Sequence, residues 1–360
     1  MVAPIPPPTI ASHTMVRVDE LETFFRLVVT DAILNFQTHK QLIACAKLPH
    51  IPSTDSVRQL LAEYDTKQWM TLGAVQTSRY TSTDFCYISD LTLLNVAFQK
   101  AHGIRGRFDV QKFINKIVCS EDNSYSSDRG AEYFVLSKTG RDMTWHVDGG
   151  VRSGYDLAVY NVLGPPEAVH CFMFLVVDVQ LHAEAVARHG STFPSCLMIY
   201  NALKLLDDSN IPVKTPDMTN CEATFCNLKN KPYYNGIQVR VISVSDTLFR
   251  VEHISGSKIG HKNIVHPRYL QFKPGYTCQL PDEISSVLQQ GHSPVLKLAL
   301  QTGVIKCAFR WAREGDVLVF DGSCLHAVKN WPGEQNSAAL ALAWNYRQLL
   351  GLLLRMGMHG

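Results

Sequence analysis

The chain has 360 residues, 46% of them hydrophobic and 18% charged, with a formal net charge of +2. That length can bury a large core in one domain or two modest ones, and the composition is globular rather than disordered or fibrous. The near-balanced charge, with no basic stripe, argues against direct nucleic-acid binding, and no apolar run approaches the ~20 residues that span a bilayer.

Residues 1–14 form a Pro-rich tail, expected to be extended or disordered, without the charged start and apolar core of a signal peptide. Over residues 19–48, Leu21, Phe24, Phe25, Leu27, Val28, Ile33 and Leu34 recur at helical spacing and predict a long amphipathic helix, closed by Pro49 and Pro52. Ser53-Thr-Asp-Ser supplies capping residues for a second helix. Residues 67–90 contain short strand-like pieces, and residues 91–102 and 108–118 return to helical periodicity. No flexible linker precedes Tyr133, so residues 15–120 are expected as a helical N-terminal region packed on the β-rich region downstream of it.

After a polar loop at residues 121–130, strands are expected at Tyr133-Phe-Val-Leu-Ser-Lys, at Val159-Tyr-Asn-Val-Leu and over residues 168–177. The long stretch at about residues 190–308 holds helix candidates at 197–206 and 282–290 and strand-like runs at 236–243 and 247–252. Cys221, Cys226, His253, His261 and His266 lie within it, but their spacing fits no zinc pattern and reads as buried thiols and surface imidazoles. Lys258, His261, Lys262, His266 and Arg268 read as a solvated loop. The ten cysteines are scattered, mostly in apolar runs, which suits free thiols in a reducing compartment, nuclear or cytoplasmic. Residues 349–360 read as an apolar C-terminal helix.

Two segments carry chemistry. In Met143-Thr-Trp-His-Val-Asp-Gly-Gly, His146 and Asp148 alternate with apolar residues, so a strand would set both on one face about 7 Å apart. An imidazole and a carboxylate so placed can fill two protein positions on a non-haem iron and leave cis sites open. Gly315-Asp-Val-Leu-Val-Phe-Asp-Gly-Ser-Cys-Leu-His then runs from a turn through an apolar strand to His326, which offers a third ligand at a strand end.

Together these segments resemble the JmjC-type Fe(II)/2-oxoglutarate oxygenases, most of all the histone lysine demethylases associated with plant-homeodomain fingers. His146-Val-Asp-Gly-Gly is similar to that group's His-x-Asp-Phe-Gly-Gly. Cys324-Leu-His-Ala-Val is similar to its Trp-Ile-His-Ala-Val, and Ala343-Trp-Asn345 stands where it has Gly-Asn-Phe. The matches cover residues 131–177 and 311–347. The resemblance implies an α+β fold: a double-stranded β-helix (a jelly-roll, cupin-like JmjC barrel) over residues 121–348, interrupted by the insertion at about 190–308.

It also implies Fe(II) on His146, Asp148 and His326, with no catalytic residue beyond these ligands, and 2-oxoglutarate as cosubstrate, oxidatively decarboxylated to succinate and CO2 as a C–H bond is oxidised. Trp145, Tyr160 and Phe172 are candidates for apolar walls, and Tyr160 also for cosubstrate contact. Thr144 sits one position closer to His146 than the family's cosubstrate threonine. Asn345 matches a late-strand asparagine. The family's cosubstrate lysine is missing, because the matching segment reads Gly164-Pro-Pro-Glu-Ala168. A buried carboxylate needs a cationic or strongly hydrogen-bonding partner, and Arg347, Lys329 and His170 are ranked in that order as replacements. Three functional readings stay open: oxidation of a protein side chain, by hydroxylation or by demethylation of a residue such as methyl-lysine, with a protein or chromatin partner; oxidation of a nucleic-acid base or small metabolite; and a catalytically silent JmjC-like binding module.

Overall fold

The computed structural model describes residues 17–39, 43–47, 85–88, 99, 102–105, 107–109, 133–137, 142–147, 156–163, 168–206, 211–273, 276–291, 293–322, 324–331 and 338–345. In chain order, α1 (Val18–His39) is followed by β1 (Ile43–Lys47), β2 (Phe85–Ile88), β3 (Tyr133–Ser137), β4 (Met143–His146), β5 (Asp156–Leu163) and β6 (Val169–Val177). An excursion then carries α2 (Val179–His189), α3 (Cys196–Lys204), β7 (Glu222–Phe225), β8 (Gln238–Val244), β9 (Phe249–His253), β10 (Lys262–Val265), β11 (Leu270–Phe272), β12 (Tyr276–Cys278), α4 (Asp282–Gln290) and α5 (Pro294–Gln301). The chain returns through β13 (Ile305–Ala312), β14 (Asp316–Asp321), β15 (His326–Trp331) and β16 (Ala338–Asn345).

The result is a mixed α/β molecule with antiparallel sheets. One sheet has the order β1-β14-β5-β16-β3-β2 and another the order β12-β13-β6-β15-β4. Along the chain β3, β4, β5 and β6 alternate between these two sheets; after the excursion β13, β14, β15 and β16 alternate again. Phe172, Phe174, Val176, Ala308 and Val328 of the second sheet share one buried cluster with Leu318 and Phe320 of the first. The two sheets therefore face each other across a common core.

Every residue of β6 is buried, because both of its faces are covered. The even-numbered side chains Phe172, Phe174 and Val176 enter the core between the sheets. The odd-numbered Val169, Cys171, Met173, Leu175 and Val177 belong to a second core, shared with Ala223, Phe225, Val239, Val251 and Phe272 of the excursion. That second core backs onto a five-stranded sheet of order β10-β9-β8-β7-β11. Trp311 Nε1–H donates to the Leu270 carbonyl (3.0 Å) and Trp331 Nε1–H to that of Asp246 (3.0 Å), so the indoles fasten the two layers as well as packing between them.

The excursion leaves the sheet at Asp178 and returns at Val304, where the Asp178 N–H donates to the Val304 carbonyl (2.8 Å). It thus begins earlier and ends sooner than residues 190–308, because Ile305 is already the strand partner of Val177. Its first helix, α2, was not anticipated. Its cap was legible, since the Asp178 carboxylate accepts from Leu181 N–H at 3.0 Å. The expected helix at residues 282–290 forms there, and that at 197–206 runs over Cys196–Lys204.

The long N-terminal helix is shorter than its periodicity suggests. It ends at His39, and Ile43–Lys47 pairs antiparallel with β14. An apolar run that reads as one more helical turn is taken up by a sheet edge whose backbone groups need partners. Leu21, Phe25 and Val28 form the buried stripe of α1, which lies against β1 and β14. Residues 107–109 are irregular rather than helical. The helix expected from residue 53, most of those at 91–102 and 108–118, and the C-terminal one at 349–360 lie outside the described residues. No described helix is long and apolar enough to cross a membrane.

Candidate metal centre

The inner face of the β13-β6-β15-β4 array can be laid out as rows of strand partners. One row runs Ala308, Phe174, His326, His146; the next runs Arg310, Phe172, Val328, Met143; a third runs Ala312, His170, Asn330. His146 and His326 are thus directly opposed on adjacent strands. Their ring centroids are 4.3 Å apart, and the residues are 1% and 2% exposed.

Each ring is held by a backbone carbonyl two residues earlier. His146 Nδ1 lies 2.7 Å from the Thr144 oxygen and His326 Nδ1 2.8 Å from the Cys324 oxygen. A carbonyl only accepts, so each Nδ1 carries the proton and each Nε2 keeps its lone pair. This fixes the tautomer in the way a metal-ligating histidine requires. Phe174 stacks on His326 at 6.0 Å, and Phe320 from the opposite sheet meets it edge-on at 4.9 Å. The imidazole donors and the aromatic wall suit a borderline metal such as iron.

Pairing between β15 and β4 slips between His326↔His146 and Val328↔Met143, two residues against three. The extra residue is a bulge in β4, and it breaks strict alternation. Met143 packs toward the inner core, Trp145 and Val147 join the outer one, and His146 turns inward. Trp145 is therefore not a wall of this site. Thr144 is joined to it through its carbonyl. Phe172 is on the inner face as expected, its ring 6.1 Å from that of Phe320.

Asp148 and Arg347 lie outside the described residues. Tyr160 and Asn345 are on β5 and β16, in the facing sheet, where the backbone alone is described. Lys329 is not brought to the histidines. Its neighbours Ala327 and Trp331 face the outer core, and its ammonium pairs with Asp142 at 2.8 Å. Asp142 also accepts from the Asn330 N–H (2.8 Å), so it locks β15 just before β4 begins.

His170 does lie on the inner face. Its Nδ1 is 2.6 Å from Asn330 Oδ1, and burial pushes its pKa down to about 4. Its Nε2 has no partner among the described residues. The residue that sequence reasoning missed is Arg310. It stands between Ala308 and Ala312 on the inner face of β13, mostly buried, and its pKa is lowered by that burial. Only strand register reveals its direction, so no local motif could have singled it out.

Of the five Cys and His residues weighed for zinc, His253 and His261 meet edge-on at 5.7 Å, and three have hydrogen-bond partners outside the set. Cys226 Sγ donates to the Arg268 carbonyl (3.8 Å), His253 Nε2 contacts Asn263 Nδ2 (2.6 Å), and His266 Nδ1 accepts from Arg268 N–H (3.2 Å). The cysteines described are free thiols.

No protein-family model matches the chain, and no curated protein does. Among the solved structures that show a distant likeness are two of one protein. One is the crystal structure of the PvcB protein from Pseudomonas aeruginosa, 10% identical, at a TM-score of 0.24, covering 71% of this chain and 79% of that one. The other is a structure of PvcB described as an Fe, alpha-ketoglutarate dependent oxygenase from an isonitrile synthetic pathway, 8% identical with the same coverage and TM-score. A TM-score of 0.24 is too low to infer shared topology.

Proposed function

We propose that this chain is an Fe(II)- and 2-oxoglutarate-dependent oxygenase built on a double-stranded β-helix, with His146, Asp148 and His326 as the metal ligands. The observation that carries this reading is the directly opposed pair His146 and His326, each with its Nδ1 proton committed to a carbonyl. The strand order supports it. Eight strands, β3 to β6 and β13 to β16, shuttle between two facing sheets as in a jelly roll. Asp148 follows His146 by two residues and supplies the anionic third ligand of a facial triad.

Bound together, Fe(II) and 2-oxoglutarate would supply oxygen activation and oxidation of a C–H bond. The protein's part is to hold two neutral imidazoles in one tautomer, to keep the metal's surroundings dry with Phe174 and Phe320, and to position the substrate. The excursion springs from the end of β6 nearest the Phe174 row, so it borders the mouth of the site and suits a role in substrate choice. A protein side chain is the preferred substrate class, on the JmjC resemblance. A nucleic-acid base or small metabolite, and a silent binding module, are the alternatives.

Succinate release from 2-oxoglutarate by iron-loaded protein tests the reading. Wild type should turn over 2-oxoglutarate slowly even without substrate, and His326→Ala should not. Iron-loaded wild type that releases no succinate would favour the silent module.

A further inference from the structure

We propose that Cys278 and Cys307 form a redox-active dithiol, a modification site that a peroxide oxidises to a cross-strand disulfide. The inference is independent of the oxygenase reading, because both thiols belong to the outer core and not to the face that carries the imidazole pair. Cys278 and Cys307 are direct partners in the antiparallel pairing of β12 with β13. Among the described residues no other two cysteines face each other across strands. Opposed residues in such a ladder point to one face, with Cα atoms about 4.5–5.5 Å apart. A disulfide takes Cα separations of about 4.4–6.8 Å, so the bond can form without moving either strand.

The two thiols are already in contact, and they differ in role. Cys278 Sγ donates to the Cys307 carbonyl (3.5 Å), and the Cys307 thiol hydrogen-bonds to the Cys278 sulfur. That hydrogen bond holds Cys278 below its ordinary thiol pKa, against the opposing effect of burial. Giving the same hydrogen bond, together with complete enclosure, pushes Cys307 well above it. Cys278 is half-buried on an edge strand, whereas Cys307 is fully buried. A reactive cysteine is one whose thiolate is favoured and reachable, and Cys278 alone of the pair meets both conditions. The nearby thiols do not compete. Burial pushes Cys221 up to about 11 and Cys171 well above the ordinary thiol value.

The chemistry balances in two steps. The Cys278 sulfur attacks one oxygen of hydrogen peroxide, the O–O bond breaks, and the thiol proton leaves with the other oxygen as water, so Cys278 becomes a sulfenic acid. The Cys307 sulfur then attacks that of Cys278 and displaces its hydroxyl, which takes the Cys307 proton and departs as a second water. The two thiols lose two electrons, and one peroxide is reduced to two waters. The new bond closes a loop that holds α4 and α5. It fastens β12, the three-residue edge strand that ends the excursion's run of strands, to β13. Closing such a loop stabilises the fold chiefly by restricting the unfolded chain.

The full-length chain, treated with a chelator so that iron does not consume the oxidant, can be exposed to hydrogen peroxide, alkylated, digested and mapped by mass spectrometry. Wild type should lose the mass of two hydrogens and yield a peptide joining Cys278 to Cys307. It should also melt several degrees higher than the reduced protein, a rise that dithiothreitol reverses. Cys221→Ser should behave as wild type. Cys278→Ser should leave Cys307 as a thiol and melt at one temperature with or without peroxide. Cys307→Ala should stop at a Cys278 sulfenic acid that dimedone traps; if this buried substitution prevents folding, the half-buried Cys278→Ser still decides. A bond from Cys278 to Cys221 overturns the proposal, as does wild type whose Cys278 and Cys307 both stay alkylatable in excess peroxide. A Cys278–Cys307 bond that leaves the melting temperature unchanged or lowers it overturns the native cross-strand geometry and the proposal with it.

Discussion

Two arginines three residues apart on one chain segment behave in opposite ways. Arg313, just past β13, donates through Nη2 to the carbonyls of Pro267, Arg268 and Leu270, and the Asp316 carboxylate accepts from its backbone N–H at 2.8 Å. It clamps the excursion sheet to the β13–β14 turn. Arg310 has a single carbonyl and no carboxylate among the described residues. The same contrast holds for the faces of the whole sheet. The outer face is apolar and aromatic, with Phe249, Phe272, Trp311 and Trp331 in mutual ring contact, while the inner face buries His146, His170 and His326. Outer-face contacts account for stability. The polar groups inside are costly for folding, a cost that the proposed metal site would account for.

The contrast can be broken first on its stabilising side. Trp311→Ala removes a packed indole and the hydrogen bond to Leu270, and should cost about 3–5 kcal/mol in denaturant unfolding. Protein that remains folded should keep its metal affinity.

Next comes pH. The folded pKa of His170 lies near 4, below its ordinary 6.5. The unfolded chain therefore binds the proton first, and stability is full above pH 6.5 and falls as pH drops from 6.5 toward 4. The loss should reach about 3 kcal/mol. His170→Phe should flatten that part of the stability–pH curve, and an unchanged slope would mean the imidazole is solvated in the folded state.

A smaller loss, about 2 kcal/mol, is expected for Arg313→Met, because three carbonyls lose a charged donor. Its sign should be opposite to that of Arg310→Met, which removes a buried cation that no carboxylate pairs among the described residues. If both arginine variants destabilise equally, the distinction between the two arginines disappears. The smallest effect, about 1 kcal/mol, belongs to Asp142→Asn, which loosens Lys329 and the start of β15. A thermal melt resolves it.

The sequence made most of the sandwich legible because its strands are apolar runs between turn residues, as at Val169–Val177 and Asp316–Asp321. The two histidines were legible through the residues around them, not through spacing, since 180 positions separate them. Their opposition across β4 and β15 is a property of register. What stayed hidden depended on pairing. β1 read as helix because its partner lies in β14, far along the chain. The β4 bulge leaves no signature in Met143-Thr-Trp-His. Arg310 has meaning only once Phe172 is known to stand opposite it. Local caps could have shown more, for Ser293 followed by Pro294 marks the start of α5 as plainly as Asp178 marks that of α2.

The central claim is that the opposed imidazoles hold a metal. Anaerobic Fe(II) titration of wild type, His146→Ala and His326→Ala, each checked for an unchanged fold by circular dichroism, tests it most directly. One iron per wild-type chain and none retained by either variant is the predicted result; equal iron content in all three proteins would contradict it.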